Sequence, residues 1–135
     1  MTRHRIATGP ADEIENLDVA LDHLLRSQQP APDEHRRLRL RLGFHELLVN
    51  IRQHAYGERP GDIDVEFDVR PGQVTIGVTD RGQPFSGTVD AVLPAAPAIG
   101  GYGLPIIRAV FDQVHYERIG DSNHWTLTAN GTENR

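Results

Sequence analysis

Residues 46–57 read ELLVNIRQHAYG, and the spacing of their polar residues governs how the rest of the chain is read. Glu46, Asn50 and His54 stand four residues apart, so on a helix they form one polar stripe. Leu42, Leu47, Leu48 and Ile51 flank it at positions expected to face a core. Alone, such a stripe is usually a solvated helix face. Its chemistry is nevertheless specific. The amide oxygen of Asn50 suits Mg²⁺, which takes oxygen ligands and keeps several waters. A carboxylate one turn earlier, at Glu46, can orient a hydroxyl or accept its proton. The helix is predicted to start at Asp33, a good N-cap with acidic Glu34 behind it, and to run to about Tyr56. Gly57 and Pro60-Gly61 stop it.

Downstream, residues 62–70 (DIDVEFDVR) alternate strictly between apolar and polar, which predicts a half-buried strand. Pro71-Gly72 is a turn signal, and 73–80 (QVTIGVTD) is the returning strand of a hairpin. Asp80 closes that strand and opens a second polar motif, Asp80-Arg81-Gly82-Gln83-Pro84-Phe85. A strand-end carboxylate can accept from an exocyclic amino group such as that of adenine. Gly two residues on lets backbone approach a ligand closely. By itself the motif reads as a plain turn. Residues 81–103 then form a long loop, in which Asp90 is the one charged residue after Arg81. Loops beyond ~12–15 residues in a compact domain are usually functional or disordered. The loop ends in Gly100-Gly101-Tyr102-Gly103-Leu104, a glycine-rich turn at the start of a predicted helix over 104–112. Such turns expose backbone N–H groups to phosphate, although many helices begin this way. Residues 114–119 and 124–129 read as a closing hairpin, with Trp125 in the core.

Upstream, residues 3–8 are a candidate strand. Ile14, Leu17, Leu21, Leu24 and Leu25 recur at helical spacing over 11–28. The order is strand, helix, helix, hairpin, loop, helix, hairpin. Helices segregated from antiparallel strands indicate an α+β fold. The 135 residues fit one domain, with no internal repeat and no linker long enough to divide them. The net charge of −5 disfavours a general nucleic-acid binder. All 14 basic residues are arginine, so any cationic side chain on a phosphate must be Arg. There is no cysteine, which excludes disulfides and thiolate metal sites. No apolar run approaches the ~20 residues that span a bilayer, and residues 1–10 hold no apolar signal core, so a cytoplasmic location is expected. His4, His23, His35, His45 and His115 show no metal-ligand spacing.

Taken together, the three motifs resemble a known set. ELLVNIRQHAYG resembles the N-box of the GHKL ATPase superfamily, DRGQPF its first glycine box, and GGYGLPIIRAVFD its second. They occur in the family's order, and the resemblance covers about residues 10–130. The shortness of the chain, the absence of a phosphoacceptor-histidine helix and the HAYG ending resemble the anti-sigma-factor serine/threonine kinase branch. The resemblance implies a two-layer α/β sandwich, with helices on one face of a mostly antiparallel sheet. It implies ATP and Mg²⁺ as ligands, Asn50 on the metal, and Glu46 as general base. His54, Asp80, Gly82, Gly101, Gly103 and Leu104 would bind nucleotide, Asp80 at the adenine amino group, under a lid at about 82–103. It also implies partners: a sigma factor or other output protein, a phosphorylated antagonist of the STAS type, and a second copy of the chain. The stripe from Ile14 to Leu25 reads equally as a dimer contact or as monomer core.

Two departures stand out. Kinases of this branch often carry a basic residue in the lid before the last glycine turn. Here that stretch is Pro94-Ala95-Ala96-Pro97-Ala98-Ile99, with Arg52 and Arg108 as conceivable substitutes. Relatives also often place a Thr near adenine in the last hairpin, where Asn123 and His124 stand, with Thr126 and Thr128 following. The first departure keeps a second reading open: a nucleotide-dependent binding module that sequesters partners without transferring phosphate. A third, an orphan histidine-kinase catalytic domain, requires a phosphoacceptor on another chain.

Overall fold

A computed structural model describes residues 3–10, 14–85 and 104–131, and only the backbone of residues 3–9. Its elements are β1 (Arg3–Pro10), α1 (Glu15–Arg26), α2 (Glu34–Asn50), a π-helical turn (Ile51–Ala55), β2 (Asp62–Arg70), β3 (Gln73–Asp80), α3 (Leu104–Val110), β4 (Gln113–Ile119) and β5 (Ser122–Asn130). The strands form one sheet in the order β1-β2-β3-β5-β4, and every pairing is antiparallel. This is the α+β arrangement expected from the element order, in the two layers that the resemblance implies. The predicted lid and its glycines, Gly101 and Gly103, lie outside the described residues.

The alternation read in the strands decides which face is covered. Ile63, Val65, Phe67 and Val69 of β2 are buried, as are Val74, Ile76 and Val78 of β3 and Trp125, Leu127 and Ala129 of β5. Their partners in alternation, such as Asp62, Glu66, Gln73 and Thr126, are exposed on the opposite face. A two-residue period leaves no other choice once one face is dry. The helices supply the other half of the core. Ile14, Leu17, Leu21, Leu24 and Leu25 are all buried, so the stripe on α1 belongs to the core of the protomer and is not a surface for a second copy. Phe44 of α2 meets Phe67 of β2 edge-to-face, with ring centroids 5.5 Å apart. Such a pair contributes roughly 0.5–1.5 kcal/mol beyond its buried area.

The N-cap of α2 forms as the sequence indicates: the Asp33 carboxylate accepts from the Arg36 N–H at 2.8 Å. The expected core face of α2 needs one correction. Leu47, Leu48 and Ile51 are buried, but Leu42 is 48% exposed. Its neighbour Gly43 faces α3 instead, where an added Cβ would stand 2.8 Å from the Phe111 ring and 3.0 Å from Val110. Close approach of α3 over Gly43 sets the helix rotation, and Leu42 turns outward. A second correction concerns the helix end. The chain does not continue as α-helix to Tyr56 but widens after Asn50, with the Tyr56 N–H reaching back to the Ile51 carbonyl at 3.0 Å. π-turns of this kind recur at functional sites.

Candidate functional site

The end of the widened turn is where two of the three motifs meet. The Ala55 carbonyl, orphaned at the helix terminus, accepts from the Gln83 N–H at 2.7 Å. Gly82 lies against the same backbone: a Cβ there would stand 2.4 Å from the Ala55 oxygen. The sequence suggested that glycine here admits a ligand. The structure gives a nearer reason, which is the approach of the loop to the helix end. Tyr56 closes the junction by donating to the Asp62 carbonyl at 2.5 Å and accepting from the Arg81 N–H at 3.0 Å. We expect Gly82→Ala to lift the loop from Ala55 and destabilise the fold by about 1–3 kcal/mol, the usual range for overpacking. Chemical denaturation checks this, and an unchanged midpoint would show that the loop yields freely.

Between this junction and β5 lies a cleft of about 190 Å³, lined by Asn50, Ile51, His54, Ala55, Gln83, Pro84, Phe85, Asn123 and Trp125. Small-molecule sites usually run to roughly 300–1,000 Å³, so the described walls enclose one end of a site. Asn50 and His54, two of the three residues of the polar stripe, are in the lining. Asn50 is 5% exposed and its Oδ1 has no hydrogen-bond partner. Glu46, one turn earlier, is half-buried and does not line this cleft. Phe85, Tyr116 and Trp125 stack as an aromatic cluster, with centroids 4.7–5.5 Å apart. Two of them, Phe85 and Trp125, give the cleft an apolar wall. Leu104 opens α3 but is 5% exposed and packs in the core.

Asp80 sits behind the cleft with no exposed surface. Its Oδ1 accepts from the Gly82 N–H at 2.9 Å and from the Asn123 amide at 2.8 Å, while its Oδ2 has no partner. Burial raises the carboxyl above its ordinary range, and the two hydrogen bonds and the charges of Arg118 and His124 only partly offset this. The sign follows. A raised folded-state value means the ionised form costs stability, and that cost appears as pH rises past the ordinary carboxylate range. Asp80→Asn removes the buried charge. The variant without ligand should therefore melt at or above the parent's temperature at neutral pH, with the gap closing on acidification. A variant that melts lower at pH 7 would mean that the ionised carboxylate stabilises the fold.

The last hairpin divides residues that the sequence grouped together. Asn123 points into the covered side of the sheet and is 1% exposed. His124 lies on the other face, where its ring bonds the Thr79 hydroxyl at 3.2 Å. Thr126 and Thr128 share that outer face. Only Asn123, therefore, reaches the cleft. Arg52 and Arg108 do not line it, and among the described residues no arginine does. Sequence reading missed Tyr116 and Arg118, whose hydrogen bonds run to Asn123 and to the backbone of 82–85. The available signal was phase: Tyr116 and Arg118 alternate in step with buried Val114 and so point inward.

The fold, a five-stranded antiparallel sheet covered on one face by helices, sets the class of domain. The family model of the histidine kinase-like ATPase domain matches residues 10–129, and the chain belongs to that family. Among solved structures, the RsbU and RsbW domains of Rv1364c from Mycobacterium tuberculosis share the fold with a TM-score of 0.68 at 19% identity. That match covers 95% of this chain and 32% of the other, so the chain spans about a third of that protein. No curated protein matches this chain. Among the described residues, no helix is long and apolar enough to cross a membrane.

Proposed function

We propose that this protein binds ATP with Mg²⁺ and acts as a serine/threonine kinase of the anti-sigma-factor type in a partner-switching pathway. The observation that carries the reading is the pair of unspent acceptors: Asn50 Oδ1, on a residue that lines a cleft with an aromatic wall, and Asp80 Oδ2, buried behind that cleft. A buried polar atom left without a partner costs about 1–3 kcal/mol. Two at one cleft are explained if a ligand satisfies them: Asp80 taking the amino group of adenine, and Asn50 ligating a metal. Among the described residues no three His, Asp or Glu side chains come together as a metal cage. A cation that arrives on a triphosphate and gains one amide oxygen needs none.

In this reading Mg²⁺ neutralises phosphate charge, and the chain's own residues do the rest. Phe85 and Trp125 hold the base. Asp80 selects it by its amino group. Glu46 orients a Ser or Thr hydroxyl of the partner and takes its proton as the oxygen bonds to the γ-phosphorus. The bond from that phosphorus to the bridging oxygen breaks, and ADP leaves. The partners are a sigma factor or other output protein, together with a STAS-type antagonist as phosphoacceptor. The likeness to the RsbW domain supports this branch. A homodimer remains part of the reading, although its contacts must lie elsewhere than the buried stripe of α1. Sedimentation at high micromolar concentration tests it, and a monomer there removes the dimer alone.

A second reading rests on the absence of arginine from the described cleft lining and of basic residues from the sequence of 82–103. Charge neutralisation is usually a large part of phosphoryl transfer. A domain without it would bind nucleotide and partner but transfer nothing. Incubation with γ-labelled ATP and a STAS-domain protein from the same gene neighbourhood separates the two. Label on a Ser or Thr supports the kinase, and tight binding without label supports the sequestering module.

A further inference from the structure

Three strands lie side by side as β3-β5-β4, and their register sets Asp80, Asn123 and Arg118 in one row across the sheet. Two residues along, the next inward row is Val78, Trp125 and Tyr116. Asn123 stands at the centre of the polar row. Its amide nitrogen donates to Asp80 Oδ1 at 2.8 Å and to the Gln83 carbonyl at 2.8 Å. Its amide oxygen accepts from the Tyr116 hydroxyl at 2.5 Å and from the Arg118 guanidinium at 3.1 Å. Both donors and both lone pairs are thereby used. The reverse amide orientation would set a carbonyl oxygen against the Asp80 carboxylate. Asn123 therefore lines the cleft with nothing left to offer a ligand.

The same network grips the loop after β3. Arg118 donates to the Gly82 carbonyl at 2.7 Å, and the Tyr116 hydroxyl accepts from the Phe85 N–H at 2.9 Å. Asp80 is thus held by one oxygen while the other stays unpartnered, and the loop carrying Phe85 is tied to the same amide. We infer that Asn123, supported by Tyr116 and Arg118, is a positioning residue for base selectivity: together with the Gly82 N–H it saturates Asp80 Oδ1, so that Oδ2 is left as a fixed acceptor behind the cleft. This rests on the adenine-nucleotide reading above. A carboxylate not held by Asn123 could turn Oδ2 onto the Gly82 N–H, which now bonds Oδ1, and would discriminate poorly. Fixed in place, its unpaired oxygen penalises any base without an amino donor, because the acceptor then stays buried and unmet.

The test compares binding of ATP with that of purine riboside triphosphate, which lacks the 6-amino group, by calorimetry on the whole chain. The parent should favour ATP by about tenfold or more. In Asn123→Ala the preference should shrink to within about threefold. Tyr116→Phe keeps the ring cluster and removes only the hydroxyl, so it should fold and show an intermediate preference. That second variant keeps the test decisive if Asn123→Ala unfolds. A general loss of affinity with the ratio preserved in Tyr116→Phe, or in a folded Asn123→Ala, would show a merely structural network and overturn the inference. A parent that binds both triphosphates alike would instead overturn the role of Asp80 in adenine recognition, and this inference with it.

Discussion

Glu46→Gln should bind Mg-ATP within about twofold of the parent while phosphotransfer to a STAS partner falls by about two orders of magnitude or more. The expectation follows from position. Glu46 lies one helical turn before Asn50 on the same face of α2 and is half-buried, with no ion pair among the described residues. General-base catalysis contributes typically ~10²–10⁴-fold, and glutamine keeps the shape and the helix propensity while losing the basicity. Single-turnover transfer from labelled ATP measures the chemistry, and calorimetry measures the binding. Parental transfer by the variant would assign the base elsewhere. Equal loss of both quantities would place Glu46 in nucleotide binding.

Asn50→Ala should remove most of the affinity that Mg²⁺ adds for ATP, on the order of ten- to a hundredfold, the cost of losing one buried ligand atom. The same change should leave the protein without ligand as stable as the parent or more so. It deletes an oxygen that is buried without a partner, and Ala is the better helix former by several tenths of a kcal/mol. A site residue that costs stability and is repaid only on binding is the pattern expected where function and folding compete. Calorimetry with and without Mg²⁺, beside a thermal melt, reads both halves. A variant whose metal-dependent gain is intact would remove Asn50 from the metal. One that binds normally but melts well below the parent would make it a structural residue whose partner is unseen.

Asp80 belongs to the same class, buried and half-satisfied, but its effect depends on pH. With Oδ1 engaged by two donors, a proton on Asp80 would sit on Oδ2 and turn that oxygen from a charged acceptor into an O–H donor, which weakens its acceptance from an amino group. Because burial raises its protonation range, adenine affinity should begin to fall at a higher pH than an ordinary aspartate would impose. This ties the stability gain expected of Asp80→Asn to a loss of nucleotide recognition.

Much of this molecule is settled within short stretches of chain. Alternation over 62–70 and 73–80, the leucine spacing of α1, the cap at Asp33 and the four-residue polar stripe of α2 are local facts, and local periodicity decides which side of an element is dry. Those elements therefore appear in the structure close to where the sequence places them, and of the stripe Asn50 and His54 line one cleft, although His54 lies in the widened turn and Glu46 stands apart from it. What the tertiary structure alone decided lies in contacts between segments far apart in sequence. Leu42 faces solvent because α3 sits on Gly43. The helix widens after Asn50 and presents the Ala55 carbonyl to Gln83, and Gly82 is glycine because that carbonyl leaves no room for a side chain. Asn123 reaches Asp80 while His124 turns away, because sheet register places residue 123 beside residue 80 and a two-residue period puts its neighbour on the opposite face. Periodicity says which residues point inward. Only the pairing of strands and the packing of helices says which of them meet.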